Sequence, residues 1–262
     1  VPVTKKIKPM RSHQYALGGY YTGINGWEFS VEGYYKDMRN VLEYKDGVSF
    51  FGSSSGWENK VEIGKGRSAG IEFMAQKTAG KTTGWLSYTL SKSDRKFTKG
   101  GINNGEWFPY KYDRRHSINL TINHKFSDRI DIGASWVFYT GGTSTIPEEK
   151  TTVIRPHNGA NNGFLWYGTY DNTNSSPTIG DVSYIEHRNN FRLPASHRLN
   201  LGVNFNKKTK HGMRTWNISL YNAYNAMNPA WVYRGHNKQG LSVIKKYTLL
   251  PLIPSFTYTY KF

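Results

Sequence analysis

Apolar and polar residues alternate with a period of two in a series of stretches along the chain. The clearest, residues 129–139, puts Ile130, Ile132, Ala134, Trp136 and Phe138 on one face and Asp131, Gly133 and Ser135 on the other. Residues 198–206 repeat it, with Leu199, Leu201, Val203 and Phe205 opposing Asn200, Gly202, Asn204 and Asn206. In residues 117–123, Ile118, Leu120 and Ile122 oppose Ser117, Asn119, Thr121 and Asn123, while Trp216, Ile218 and Leu220 oppose Asn217 and Ser219. Weaker copies lie at 14–21, 27–35, 69–76 and 85–91, and a last one closes the chain. Each stretch is near the roughly 9–11 residues with which a tilted strand crosses an outer membrane. No apolar run approaches the roughly 18–20 residues of a membrane-spanning helix.

A β-sandwich shows the same alternation, so the connections and the polar faces decide. Short turns are expected at 22–26, 78–83, 127–128 and 207–212, and long loops at 36–65, 92–111, 141–190 and 228–242. The two kinds alternate strictly, as in outer-membrane barrels, and the polar faces are rich in Asn, Ser, Thr and Gly, as a wet interior requires. The expectation is an all-β, antiparallel transmembrane barrel, with residues 1–262 as one portion of that barrel domain. Nine strands with a last strand ending in the periplasm make the first descend from outside, so residues 1–9 belong to an outer loop. A single-chain bacterial barrel carries an even strand count. An odd number of further strands upstream is therefore expected, with the chain starting downstream of any leader.

Composition adjusts this picture only a little. Aromatics at 15%, with 19 Tyr, 13 Phe and 8 Trp, suit interfacial girdles. The absence of Cys excludes disulfides and thiolate metal sites. The formal charge of +17 invites a nucleic-acid reading. Lys and Arg are spread along the chain near turns and strand ends, however, so a solvated rim or one facing lipopolysaccharide is the preferred account, and no nucleic-acid partner is expected.

Several stretches resemble a known family. GRSAGIEF (66–73) followed by GWLSYTLS (84–91), YDRRHSINL (112–120), RLPASHRLNL (192–201) and NISLYNAYN (217–225) are together similar to barrel strands of TonB-dependent outer-membrane receptors, with a Bacteroidetes flavour. Phe256, Tyr258, Tyr260 and Phe262 share one face of the final stretch and resemble the terminal signal read by the barrel-assembly machinery. The resemblance implies a 22-stranded Gram-negative barrel around an N-terminal plug, of which this chain supplies the last nine strands. It implies a transporter in the cell outer membrane, not an enzyme, with no cofactor. Its cargo would be a scarce or bulky nutrient such as an iron chelate, cobalamin, glycan or peptide. Its partners would be TonB (through a region not in these residues), the remaining barrel and plug, the assembly machinery, outer-membrane lipid and lipopolysaccharide, and a surface lipoprotein. A passive porin or adhesin barrel is the alternative.

Candidate chemistry is sparse. The eight His show no compact zinc spacing, so no metal is expected. His116 and His197, each beside an Arg, read as strand-end structure. Ser196 and His197 are adjacent, so a strand points them to opposite faces, which argues against a dyad. Glu148 and Glu149 read as solvated loop carboxylates. Asp113-Arg-Arg-His116 is expected to anchor a strand top at a contribution of roughly 0–1 kcal/mol. Ligand contact is sought in the long loops, on Trp107, Phe108 and Tyr110, on Phe164, Trp166, Tyr167 and Tyr170, and on Trp231 and Tyr233. Near strand tops the same rings serve equally well as an interfacial belt.

Overall fold

The computed structural model describes residues 3–46, 56–98, 101–155 and 178–262. Its strands are β1 (Arg11–Tyr21), β2 (Trp27–Tyr44), β3 (Val61–Lys77), β4 (Thr82–Lys96), β5 (Phe108–Pro109), β6 (His116–Lys125), β7 (Ile130–Tyr139) and β8 (Thr143–Ser144). They continue with β9 (Glu149–Arg155), β10 (Thr178–Tyr184), β11 (Phe191–Arg192), β12 (Ser196–Thr209), β13 (Gly212–Tyr221), β14 (Pro229–His236), β15 (Ser242–Thr248) and β16 (Ile253–Lys261). Nine of them form one antiparallel sheet in the order β1-β2-β3-β4-β6-β7-β12-β13-β16, with β5 added to β4. The path is open, with β1 and β16 at its two edges. No helix among the described residues is long and apolar enough to cross a membrane.

The register turns the sequence alternation into two faces. Val31, Phe73, Tyr88, Ile118 and Phe138 stand opposite one another across five strands. The next rows run Phe29, Ala75, Leu86, Leu120, Trp136, Leu199 and, further on, Ile132, Val203, Ile218, Phe256. A slip of one residue would send these side chains to the other face. No second layer among the described residues covers this face: Leu17 is 86% exposed, Phe256 63% and Ile218 51%. The opposite face is polar and bonded strand to strand. Asp131 accepts from Asn204 and Asn206 Nδ2, at 2.7 Å each. Asn217 donates to Asn204, and Thr215 to Asn206, also at 2.7 Å.

Short turns gather at one end and long connections at the other, as the alternation predicts. Two expectations about the long connections need correction. First, β2 runs on to Tyr44, β3 begins at Val61 and β4 ends at Lys96, so much of what reads as loop is strand. The 18 residues of β2 span about 60 Å, well beyond a hydrocarbon core of roughly 30 Å. Charged residues such as Asp37, Arg39, Glu62 and Lys65 occupy these extensions, so the apolar signal stops before the strand does. Second, the stretches 141–190 and 228–242 contain strands. β9 pairs with β10, β8 with β11, and β14 with β15, all outside the main sheet.

The buried apolar residues sit at the long-connection end. Met38, Val41, Phe97, Ile102 and Phe108 form a small cluster there. A β-bulge at Asn40 (φ 58°) builds it, because it shifts the register between Arg39 and Val41. Met38 and Val41, three apart, then share the polar side of the sheet. Gly64 provides room for Phe97: a Cβ on it would lie 2.4 Å from that ring.

Candidate functional site

The long connections do not stand apart; they interlock over one end of the sheet. Their anchor is Asp113, whose side chain is fully buried. Its carboxylate accepts from the Ser93 amide at 2.7 Å, from Arg115 Nε at 3.0 Å and from Arg192 Nη2 at 2.6 Å. Arg192 Nη1 also donates to the carbonyls of Asp113 and Gly141, at 2.8 and 2.9 Å. One acid thus joins β4, the approach to β6, the exit of β7, and β11. The sequence reading undervalued this group, because burial makes charge-assisted bonds stronger and leaves costly unpaired partners when they are broken.

A second tie reaches across the mouth. Arg188 donates to Asp46 Oδ1 at 2.6 Å and pairs with Glu43 at 3.5 Å, both at the top of β2. Asn103 brackets Arg188, accepting from its amide at 2.7 Å and donating to its carbonyl at 3.1 Å. Asn189 Nδ2 donates to the Pro109 carbonyl at 2.7 Å, and Asn190 Nδ2 to the Ile146 carbonyl at 2.9 Å. From the β14–β15 hairpin, Arg234 donates to the Glu148 carbonyl at 2.6 Å. Apart from Glu148, none of these residues was singled out from the sequence. The signal available was the Asn-Asn pairs at 103–104 and 189–190: Asn103, Asn104 and Asn189 adopt the left-handed conformation that Asn tolerates in turns.

The candidate contact residues fall into two separate groups. The Trp107 ring lies under the Arg67 guanidinium at 4.3 Å, and Tyr110 lies under Arg95 at 4.1 Å. Burial pulls Arg95 below the usual guanidinium range, opposed by the nearby Tyr110 and Glu43. Phe108, only 7% exposed, belongs to the small core and supports the surface from beneath. On the hairpin, Trp231 stacks on Tyr247 at 4.2 Å, and register puts Tyr233 on the same face. Trp231 is 49% and Tyr233 46% exposed. Phe164, Trp166, Tyr167 and Tyr170 lie outside the described residues.

The histidines beside strand starts bond to aromatic hydroxyls. His116 Nδ1 lies 2.9 Å from the Tyr88 hydroxyl and His197 Nδ1 2.8 Å from that of Tyr224, which also accepts from Trp136 Nε1 at 3.1 Å. These three groups stand at the upper margin of the apolar face, where a ring with a polar tip suits an interface. Ser196 is buried while His197 is exposed, so the pair is no dyad. Glu148, Glu186 and His187 bring one ligand atom each within 4.8 Å of one another. Their side chains are mostly exposed, and Asn190 holds Glu148 Oε1 at 3.0 Å.

Residues 2–233 match a known family, described as TonB dependent receptor-like, beta-barrel. The chain belongs to that family. It also resembles two solved structures. The first is the ferric-catecholate import receptor Fiu from K12 E. coli in its closed form, at 13% identity and TM-score 0.55, covering 97% of this chain and 28% of that one. The second is the ferric citrate transporter FecA in its unliganded form, at 11% identity and TM-score 0.52, covering 94% and 30%. The chain therefore spans less than a third of each solved receptor, and at such identities the likeness concerns the fold. No curated protein matches its sequence. Receptors of this family are outer-membrane β-barrels and transporters, not enzymes, and the family name carries the interaction with TonB.

The buried carboxylate yields a direct expectation. Asp113→Asn lowers unfolding stability by about 2–4 kcal/mol, somewhat less than a fully buried pair because Arg115 and Arg192 are 35% and 34% exposed. Asp37→Asn, in an exposed pair with Arg39, changes it by less than about 1 kcal/mol. Denaturant unfolding of the detergent-refolded receptor compares the two.

Proposed function

We propose that this chain is the C-terminal part of the barrel of an outer-membrane active transporter, completed by further strands and a plug, which imports a scarce or bulky nutrient with energy relayed by TonB. The observation that supports it most is the register-locked apolar face, which no second layer among the described residues covers, set below a tied loop assembly. A soluble sheet would bury such a face. In a membrane the same face meets hydrocarbon, and between the two edge strands the backbones pair strand to strand. The polar face then lines the interior, where Asp131 and its Asn and Thr partners are wet. Phe256, Tyr258, Tyr260 and Phe262 act as the assembly signal, and the assembly machinery, lipid, lipopolysaccharide and a surface lipoprotein are the remaining partners.

Cargo contact falls to the aromatic surfaces of the loop end, Trp107 with Tyr110 and Trp231 with Tyr233, joined by the stretch that carries Phe164, Trp166, Tyr167 and Tyr170. Aromatic faces stack on planar or sugar-like ligands. An iron chelate is the first cargo to try, since both solved relatives are named for one; cobalamin, glycans and peptides follow.

Three outcomes test this reading. Uptake by cells expressing the whole receptor stops on loss of tonB or on collapse of the proton gradient, while surface binding persists; a passive porin would go on conducting. Trp231→Ala raises the concentration for half-maximal uptake by roughly 5–30-fold, equivalent to about 1–2 kcal/mol, and leaves the amount of receptor in the membrane unchanged. Removing Phe262 lowers the heat-modifiable, folded receptor in outer-membrane fractions several-fold, whereas Lys261→Ala leaves it intact.

A further inference from the structure

The apolar face is not uniform. Near the short-turn end it is notched by a groove of about 490 Å³, a size within the roughly 300–1,000 Å³ typical of ligand pockets. Its walls are Tyr21, Phe29, Phe73 and Leu86, and its floor is formed where Gly19 and Ala75 leave space. The floor is open: a Cβ at Gly19 would meet only Val31 Cγ1, at 4.0 Å. Two residues beyond Ala75 on the same face of β3, about 7 Å along the strand, stands Lys77. Its ammonium lies 5.7 Å from the Trp27 ring, which itself stacks on Phe29 at 5.7 Å. Lys81 follows in the adjoining turn. Among the described residues neither lysine has an ion pair, in contrast to Lys125 on the next turn, which is held by Asp128 at 2.8 Å.

We propose that this groove seats one acyl chain of an anionic phospholipid, with its phosphate at Lys77 and Lys81. The inference rests on the membrane reading above and adds a specific occupant to it. The trough is lined mainly by aliphatic side chains, glycine and aromatic ring faces, with the hydroxyls of its tyrosines and of Ser30 interspersed, so a hydrocarbon chain is the complementary filling. Lys77, on the same face just beyond the floor, and Lys81, four residues on in the adjoining turn, select the headgroup, and the Trp27 indole beside Lys77 is the side chain enriched at that depth. Elsewhere on the face, Ala134 lies between Ile122 and Leu201, strands away from Lys77 and Lys81.

Native mass spectrometry of the full-length receptor, released from detergent with dioleoyl-phosphatidylglycerol or dioleoyl-phosphatidylcholine, tests the seat. The expected result is one retained phosphatidylglycerol at concentrations where phosphatidylcholine leaves none. Lys77→Gln weakens that binding about fivefold, the equivalent of roughly 1 kcal/mol for one lysine at an anionic surface. Gly19→Leu with Ala75→Leu, which fills the trough, weakens it at least tenfold, and Ala134→Leu leaves it unchanged. Equal retention of the two lipids, retention by the filled variant, or a second receptor copy in place of the lipid overturns the proposal. Folding is read separately from heat-modifiable mobility. If the filled variant does not fold, Lys77→Gln and the lipid comparison decide. A receptor recovered from the cytosol without detergent would instead remove the membrane reading on which the seat depends.

Discussion

Antiparallel pairing holds the nine long strands edge to edge, and the residue-by-residue register of that ladder decides which side chains share a face. Backbone amides and carbonyls are costly to leave unmet away from water. Once the ladder satisfies them, the period-two sequence has no freedom left: apolar rows align on one side and amide and hydroxyl side chains on the other. The uncovered apolar surface and the Asp131 network are thus two results of one register. The usual soluble arrangement, in which the apolar side of a sheet finds a second layer, has no counterpart among the described residues. What little apolar burial exists lies at the loop end, where strands outrun the alternating part of the sequence.

Function in this family is divided between a wall and its loops, and the wall positions the loops through a few fully buried groups. Asp113 gathers two arginines and a strand amide, and Asn222, 1% exposed, donates to the carbonyls of Ala226 and Leu250 and accepts from the Ala226 amide. Each lies where a strand meets a long connection. Trp107 and Tyr110, by contrast, pack against arginines, and Trp231, half-exposed, stacks on Tyr247. Rigid joints thus lie below and open rings above.

Most of the sheet was legible in the sequence, because Ile130–Phe138 or Leu199–Phe205 cannot alternate so regularly without a strand. The short turns were legible for the same reason. The upper halves of β2, β3 and β4 were not, since Asp37, Arg39, Glu62 and Lys65 give no apolar beat. The hairpins inside the long connections were missed because both of their faces are mixed: Trp231 and Tyr233 alternate with Val232 and Arg234. At the loop end, the Trp and Tyr residues were picked by type alone, while the ties through Arg188, Asn103 and Asn190 were not legible, as their partners lie 44 to 142 residues away. The stretches that carried the family resemblance turn out to hold the joints: Gly66 beneath Arg95, Asp113 beneath its arginines, Ser196 in its buried position, and Asn222 at the exit of β13.

The bulge at Asn40 has a bearing on how such a chain tolerates change. By taking up one extra residue, it uncouples the facing of the upper part of β2 from that of the lower part. Met38 and Val41 are brought to one side without disturbing Tyr35 or Gly33 beneath. Loop-end sequence can therefore drift, lengthen or exchange while the lower wall keeps its apolar side intact, so diversity in what is captured above is insulated from the architecture that must stay constant below.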